Sequence, residues 1–587
     1  MPNILGLSAY FHDSACCLLK DGVLVAAAQE ERFSRRKHDP SVPKMAFRYC
    51  LSEGNLTIAD IDCVAYYENP SKKLDRQLWM MLPNISEGDA FHVWRNAKRP
   101  VREIRRVLGY EGPVHIVDHH HAHAASSYFF SGFSESAVLT VDGVGEWATT
   151  TYGYAQANTI NLFEEVHFPD SIGLLYSALT SYLGFAVNDG EYKVMGLAPY
   201  GKPVYADRIR QLILPQARGQ FSLNLDYFDF VSRNRMYTDA LPKLFGEPPR
   251  EKESQITSFH KDIARSLQLV LEEMLLEKAT YLYEKTGSEN LCMAGGVALN
   301  CVANARILNE GPFKRLFVQP AAGDAGTCLG AAALAHINLT GSRPSTDRLE
   351  HVYLGPRFTL DEIAKLIEET GVTALDFRER EDDLLSHAAA LLTAGKVIGW
   401  FEGRMEFGPR ALGARSILAD PRDPGMRDRI NALVKKREGF RPFAPVVLES
   451  KAAEHFDLDH ASPFMLETCP VKSQLDLPAI THVDHSARVQ TVNEIMSPRL
   501  ARLLKAFDER TGCPILLNTS FNMRDEPIVC SPTDAIWCFA RTDIDVLFLE
   551  DFVIDRSGLG SWEELCSSTT AKLKTPSLVS DRVYVMM

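Results

Sequence analysis

The sequence predicts an α/β protein of two main domains, the first of them internally duplicated. Three observations carry that reading. A plan of three successive strands occurs twice, in residues 4–33 and again in residues 137–169. From residue 265 onward strands and helices alternate, the pattern of a sheet with covering helices. The pattern then breaks at "SRPSTDRLEHVYLGP", residues 342–356, a polar, proline-containing stretch that marks the domain boundary.

Each element follows from local pattern. "ILGLSAYF", "SACCLLKDG" and "VLVAAAQEERF" read as strands, the last two joined at Asp21-Gly22, a tight-hairpin signal. "AVLTVDGVGE", "WATTTYGYAQ" and "INLFEEVHFP" repeat the plan. "RSLQLVLEEMLLEKATYLYEKTG" is a long amphipathic helix stopped by Gly287, followed by strand "NLCMAGG" and helix "ALNCVANARILNEG". Past the boundary come a helix near 383–394, strand "KVIGWF" and a Gly/Arg-rich loop, "EGRMEFGPRALGARSILADPR". Residues 561–587 read as a peripheral C-terminal extension.

Composition narrows the function classes. At 587 residues the chain has room for several domains and for two unlike sites. Hydrophobic residues at 45% and charged residues at 24% are ordinary for a globular protein. The balance of 63 basic against 76 acidic side chains, a net charge of -13, argues against a general nucleic-acid or membrane-surface binder. The opening "MPNILGLSAYFHDSACC" has neither a basic leader nor a long apolar core, and no apolar run is long enough to span a bilayer, so a cytoplasmic location is expected. The 12 cysteines include no C-x-x-C pair, which excludes a zinc ribbon; Cys16 and Cys17 are expected in the core.

The chemistry concentrates in a few stretches. "DHHHAHAAS" sets four histidines into five positions, and on a helix His119 and His123 are an i, i+4 pair on one face. The spacing serves metal sites, but no Glu follows the first histidine as in H-E-x-x-H, so a zincin protease is disfavoured. Carboxylates must come from elsewhere. Asp142 ends the strand in "VLTVDGVGE", and Asp324 stands where the Gly-rich "QPAAGDAGTCLGAA" enters a helix, with N-capping as its competing role. Two imidazoles with carboxylates are the ligand mix of Fe(II), with Zn or Mn as alternatives. "MAGGVALN" (Gly295, Gly296, Asn300) and the loop at Gly323 set small residues before helices, where backbone N–H groups bind phosphate or nucleotide; close packing of helix on strand reads equally well. In the second domain ten basic residues against five acids lie between Arg404 and Arg441. Arg410 and Arg415 in "FGPRALGARS" and Arg441 in "FRPFAP" sit among stiff and apolar residues, a setting that suits capture of a small phosphorylated ligand.

In order along nearly the whole chain, "HDSA", "EERFSRRKHD", "DHHHAHAAS", "TVDGVGE", "MAGGVALN", "AAGDAGTCLGAA", "EFGPRALGARSILADPR", "FRPFAP" and "LLNTSFN" resemble the ATP-dependent O-carbamoyltransferases of antibiotic and nodulation-factor biosynthesis. The resemblance implies a duplicated actin-like ATPase domain over 1–340 and an α/β YrdC-like domain over 356–560. The latter would make carbamoyl-adenylate from carbamoyl phosphate and ATP, the nucleotide accompanied by Mg(II). The former would transfer the carbamoyl group to a hydroxyl of a small-molecule acceptor. It further implies Fe(II) on His119, His123, Asp142 and Asp324, His12 as general base, and Lys37 near the transfer site with an acid such as Asp226. For the second domain it implies phosphate binding by Arg410, Arg415, Lys435, Arg441 and Arg488, with Asn518, Ser520 and Arg524 nearby. Neither a membrane nor a nucleic acid is expected as partner. Two alternatives stay open: a tRNA- or protein-modifying carbamoyl enzyme of the same superfold, and a non-catalytic nucleotide-binding regulator.

Overall fold

The computed structural model describes residues 2–80, 96–216, 219–230, 235–435 and 439–560; the expected C-terminal extension lies outside the described residues. The chain forms two compact units. Among the described residues, one comprises residues 2–31 and His38–Leu349; the other comprises Arg32–Lys37 and residues 350–560.

The first unit contains two five-stranded mixed sheets built to one plan. In the first sheet, β1 (Asn3–Ser8), β2 (Ala15–Lys20) and β3 (Val23–Gln29) form an antiparallel meander. Asp21 and Gly22 both take positive φ, 54° and 78°, so their turn carries the twist of the flanking strands. On the other side of β1, β4 (Cys63–Tyr66) and β5 (Val114–Ile116) run parallel, giving the order β3-β2-β1-β4-β5. The second sheet repeats this. Its meander is β6 (Glu135–Val141), β7 (Ala148–Gln156) and β8 (Thr159–His167), and its two parallel strands are Asn290–Ala294 and Arg315–Val318. The repeated plan read from the sequence is thus a repeated sheet. The long helix spans Ser258–Thr286 and ends at Gly287 in the left-handed conformation.

Two helices are exchanged between the sheets. The helix His119–Tyr128 follows β5 of the first sheet but packs on β6 and Asn290–Ala294 of the second. The helix Asp324–Thr340 follows the last strand of the second sheet and packs across β1, β2 and β4 of the first. They also pack on each other, and there Gly330 is required: a Cβ would stand 1.8 Å from the Ala122 carbonyl oxygen. Both helices are rich in alanine, which permits this approach while keeping helix propensity.

The second unit is built on an eight-stranded mixed sheet. Five of its strands, Ile398–Phe401, Arg415–Ala419, Ile515–Ser520, Ala444–Leu448 and Gln490–Val492, follow one another in that spatial order, the last at the edge. The core includes Trp400, Ile417, Val446, Leu503, Phe507 and Leu516. Arg32–Lys37 belongs to this unit by specific bonds: Arg32 donates to the Gly408 carbonyl, and Arg35 to the carbonyls of Pro527 and Ile528. No helix among the described residues is long and apolar enough to cross a membrane.

Candidate functional site

The exchanged helices bring the acid and imidazole groups of the first unit together. His119 opens its helix, and its backbone N–H is bonded by the Glu146 carboxylate at 2.9 Å, which also accepts from the Asn69 N–H at 2.6 Å. A carboxylate at a helix N-terminus is favourably placed for both reasons, orphan donor and dipole. From this start His119 and His123 face one way. Asp142 lies just past β6, and Asp324 is the first residue of its helix with Gly323 as the N-cap, so Asp324 does not serve as the capping residue.

His119 Nε2 stands 3.2 Å from Asp142 Oδ2 and 3.8 Å from Asp324 Oδ1; His123 Nε2 is 3.7 Å from each of the same oxygens. One atom from each of the four residues falls within 4.8 Å of all the others, and all four residues are buried. Ligands about 2.0–2.2 Å from a shared ion stand roughly 3–4 Å apart, so the spacing fits a metal. His123 is 0% exposed, and neither of its ring nitrogens has a hydrogen-bond partner. An orphaned buried nitrogen is costly, and coordination would satisfy it. Burial alone would lower the His119 pKa, but the bond to Asp142 and the charges of Asp324 and Asp142 outweigh it and raise it to about 9. Asp142 moves the opposite way: burial pushes it up, and the two imidazoles hold it well below the carboxylate range. The group therefore sets two carboxylates beside two imidazoles, a donor set that could hold a metal ion. His120, on the same helix, bonds Thr140 Oγ1 at 2.6 Å through Nδ1, a structural role, and burial pushes its pKa well down.

The small residues around this group act mainly through packing. Gly295 has φ 96°, and a Cβ there would lie 2.2 Å from the Val141 carbonyl, so glycine lets the two strand ends meet. The Gly296 N–H donates to Asp142 Oδ1 at 2.7 Å, orienting the carboxylate. Asn300 caps the helix Cys301–Glu310 through the Ala303 N–H and donates to Gln268. Gly323 leaves open space where a side chain would stand.

A second cluster lies in the same unit: His12, Asp13 and His38. The sequence pointed to His12 alone. Asp13 and His38 stand inside the quoted stretches "HDSA" and "EERFSRRKHD", yet neither has a spacing that marks it. Lys37 belongs to the segment grouped with the second unit. Asp226 is an exposed residue of the turn Leu225–Tyr227, bonded through its backbone to Asn224 and Thr238; its carboxylate joins neither cluster.

In the second unit, strand directions bring most of the expected phosphate binders to one end of the sheet. Arg415 starts its strand; Ser520 ends the antiparallel neighbour that also carries Asn518. Arg441 and Arg488 lie shortly before the starts of Ala444–Leu448 and Gln490–Val492 at that same end. The Nε of Arg488 and the Oδ1 of Asn518 are buried without a hydrogen-bond partner, which leaves polar atoms for a ligand. Arg410 is half-buried in the loop ahead of Arg415, whereas Arg524 is exposed beyond Ser520 and pairs with Asp525. The Lys435 side chain lies outside the described residues.

Arg415 has its terminal nitrogens bonded to the protein. It is fully buried, donates to the carbonyls of Glu402, Gly403, Ala414 and Pro356, and lies over the Phe401 ring at 3.6 Å. Its terminal donors are spent on the protein, and Glu406 completes the loop by accepting from the N–H groups of Leu412, Ala414 and Arg415. Arg415→Ala is expected to lower the unfolding free energy by about 3 kcal/mol, since charge-assisted bonds are lost and buried carbonyls orphaned. Denaturant unfolding checks this, and wild-type stability would return Arg415 to the ligand set.

Comparison with known proteins places the sequence in a family. The model for the carbamoyltransferase N-terminus covers residues 3–333, and that for the carbamoyltransferase C-terminus covers residues 389–556. Nodulation protein NolNO of Sinorhizobium fredii is 40% identical over 571 residues, 95% of this chain and 80% of its own. The 3'-hydroxymethylcephem-O-carbamoyltransferase of Amycolatopsis lactamdurans is 38% identical over 258 residues, 44% of this chain and 47% of its own. Among solved structures, T. kodakarensis HypF aligns at 16% identity with a TM-score of 0.32, covering 58% of this chain and 48% of its own. Both halves of the sequence are thus accounted for by one family's two models, and the chain belongs to the carbamoyltransferases.

Proposed function

We propose that the chain is an O-carbamoyltransferase that makes carbamoyl-adenylate from carbamoyl phosphate and ATP and passes the carbamoyl group to a hydroxyl of a small natural product. The observation that carries this reading is the buried convergence of two imidazoles and two carboxylates in a carbamoyltransferase. His119, His123, Asp142 and Asp324 would hold Fe(II), which when bound supplies Lewis acidity and a counter-charge for the nucleotide phosphate.

The chain's own groups divide the work. Hydrolysis of carbamoyl phosphate releases inorganic phosphate and carbamate; a carbamate oxygen then bonds to the α-phosphorus of ATP as the bond to pyrophosphate breaks, which gives the poorly electrophilic carbamate AMP as a leaving group. Residues 356–560, read as the YrdC-like domain, form the adenylate: Arg410, Arg441 and Arg488 clamp phosphates delivered by carbamoyl phosphate and Mg(II)-ATP, and Asn518 and Ser520 add polar contacts. Residues 1–340 are read as the actin-like transfer domain, a reading supported by the repeated sheet. There His12 takes the proton from the acceptor hydroxyl as the oxygen attacks the carbamoyl carbon and AMP leaves. The relatives' names, a nodulation protein and a cephem O-carbamoyltransferase, favour a hydroxylated natural product as acceptor.

The test is direct. Purified, iron-loaded protein incubated with carbamoyl phosphate, Mg-ATP and a panel of alcohols (an aminoglycoside, a hydroxylated polyketide, a chitooligosaccharide) is expected to release AMP and add one carbamoyl mass to an acceptor. No AMP release would reject the adenylate route. AMP release with tRNA or protein as the only modified product would favour the alternative enzyme class.

A further inference from the structure

The His12 cluster is a chain of four side chains. His12 Nδ1 meets Asp13 Oδ2 at 2.8 Å, the other oxygen of Asp13 meets His38 Nδ1 at 2.9 Å, and His38 Nε2 meets Asp189 Oδ1 at 3.4 Å. All four side chains are mostly shielded, none more than 24% exposed. Asp13 and His38 both hold left-handed backbone, φ 64° and 55°, although neither is glycine. Such strain persists where the surroundings over-determine a conformation.

We propose that Asp13, anchored by His38 and through it by Asp189, is a positioning residue that fixes the tautomer and orientation of His12 for carbamoyl transfer. The inference rests on the O-carbamoyltransferase reading. An Nδ1–H bonded to the Asp13 carboxylate leaves the lone pair on Nε2. That nitrogen takes the proton of the acceptor R–OH while the R–O bond to the carbamoyl carbon forms and the bond from that carbon to the AMP oxygen breaks. The products are the carbamate ester, AMP and an imidazolium that the Asp13 carboxylate stabilises until it returns the proton to solvent. The charged groups facing this array are Glu31, Asp189 and Asp324, with His12 and His38 themselves. Against the lowering effect of burial, Asp13 and Asp324 raise the His12 pKa, and Asp13, Asp189 and Glu31 raise that of His38 to about 10.

Asp13→Asn tests the assignment, because an amide N–H2 donates to Nδ1 and selects the wrong tautomer. Single-turnover transfer from preformed carbamoyl-adenylate to the panel alcohol that gains mass should slow by roughly 10²–10⁴-fold. Adenylate formation should stay at the wild-type rate, which also reports the fold. The acid limb of the pH–rate profile should move to lower pH, because the carboxylate that raised the His12 pKa is gone. The double variant with His12→Asn should be no slower than His12→Asn alone, since groups acting as one unit are non-additive. Wild-type transfer by Asp13→Asn, an unmoved acid limb, or an additive double loss overturns the positioning role while leaving the enzyme class intact. A wild-type enzyme that consumes no carbamoyl-adenylate with the panel overturns the enzyme class and this inference together.

Discussion

His119→Ala and His123→Ala are each expected to lose bound iron and to slow carbamoyl transfer by roughly 10³-fold, whereas His121→Ala keeps both. The asymmetry follows from geometry: His119 and His123 each present Nε2 to the same two carboxylate oxygens, while His121 is not among the converging atoms. Loss of a Lewis acid removes several kcal/mol of transition-state stabilisation, and each 1.36 kcal/mol is a factor of about ten. Metal analysis separates this from a folding defect. Full metal occupancy in the His119→Ala/His123→Ala double variant would reject the ligand assignment whatever the activity.

Arg441→Ala and Arg488→Ala are expected to cripple the other half-reaction. Removing one guanidinium from a shielded anion site costs roughly 2–5 kcal/mol, so adenylate formation should fall about 30- to 5,000-fold. Transfer from supplied carbamoyl-adenylate should remain near the wild-type rate, because these residues belong to the second unit and the imidazole and carboxylate groups to the first. Pyrophosphate release measures the first step and single-turnover transfer the second. Equal loss of both in a folded variant would break the division of labour.

What the sequence made legible was local. The i, i+4 histidines, the aspartate at the end of a strand and the aspartate opening a helix each follow from short-range pattern, as do the hairpins and the repeated meander. That Asp324 meets His119 was not legible, because the contact depends on two helices trading sheets and on a single glycine, Gly330, at their crossing. The carbonyl bonds of Arg415 were hidden for a related reason. An arginine among Gly and Pro looks the same in sequence whether its fork faces a ligand or closes on backbone carbonyls. Nothing local in "EERFSRRKHD" marks burial, yet Arg32 is only 4% exposed, and Arg35 is bonded to the carbonyls of Pro527 and Ile528. Asp189 was missed because its link to His38 joins residues 151 positions apart.

The exchange of helices also dictates a timetable for the nascent chain. Cys17 Sγ donates to the carbonyl of Cys328, 311 residues later, and β1 packs directly under that stretch of helix. At about 5–20 residues per second, a ribosome needs roughly 15–60 s to supply the helix that covers the first sheet. Arg35 waits longer still for the Ile528 carbonyl, 493 residues downstream. Residues around β1 are thus made well before their partners, and the apolar strand β1 spends that interval without its cover. Contacts of such long sequence separation fold slowly and leave aggregation-prone surface on view. Asp324 is made on the same late schedule, so the group it forms with His119, His123 and Asp142 is completed only after the strands of the first sheet have been synthesised.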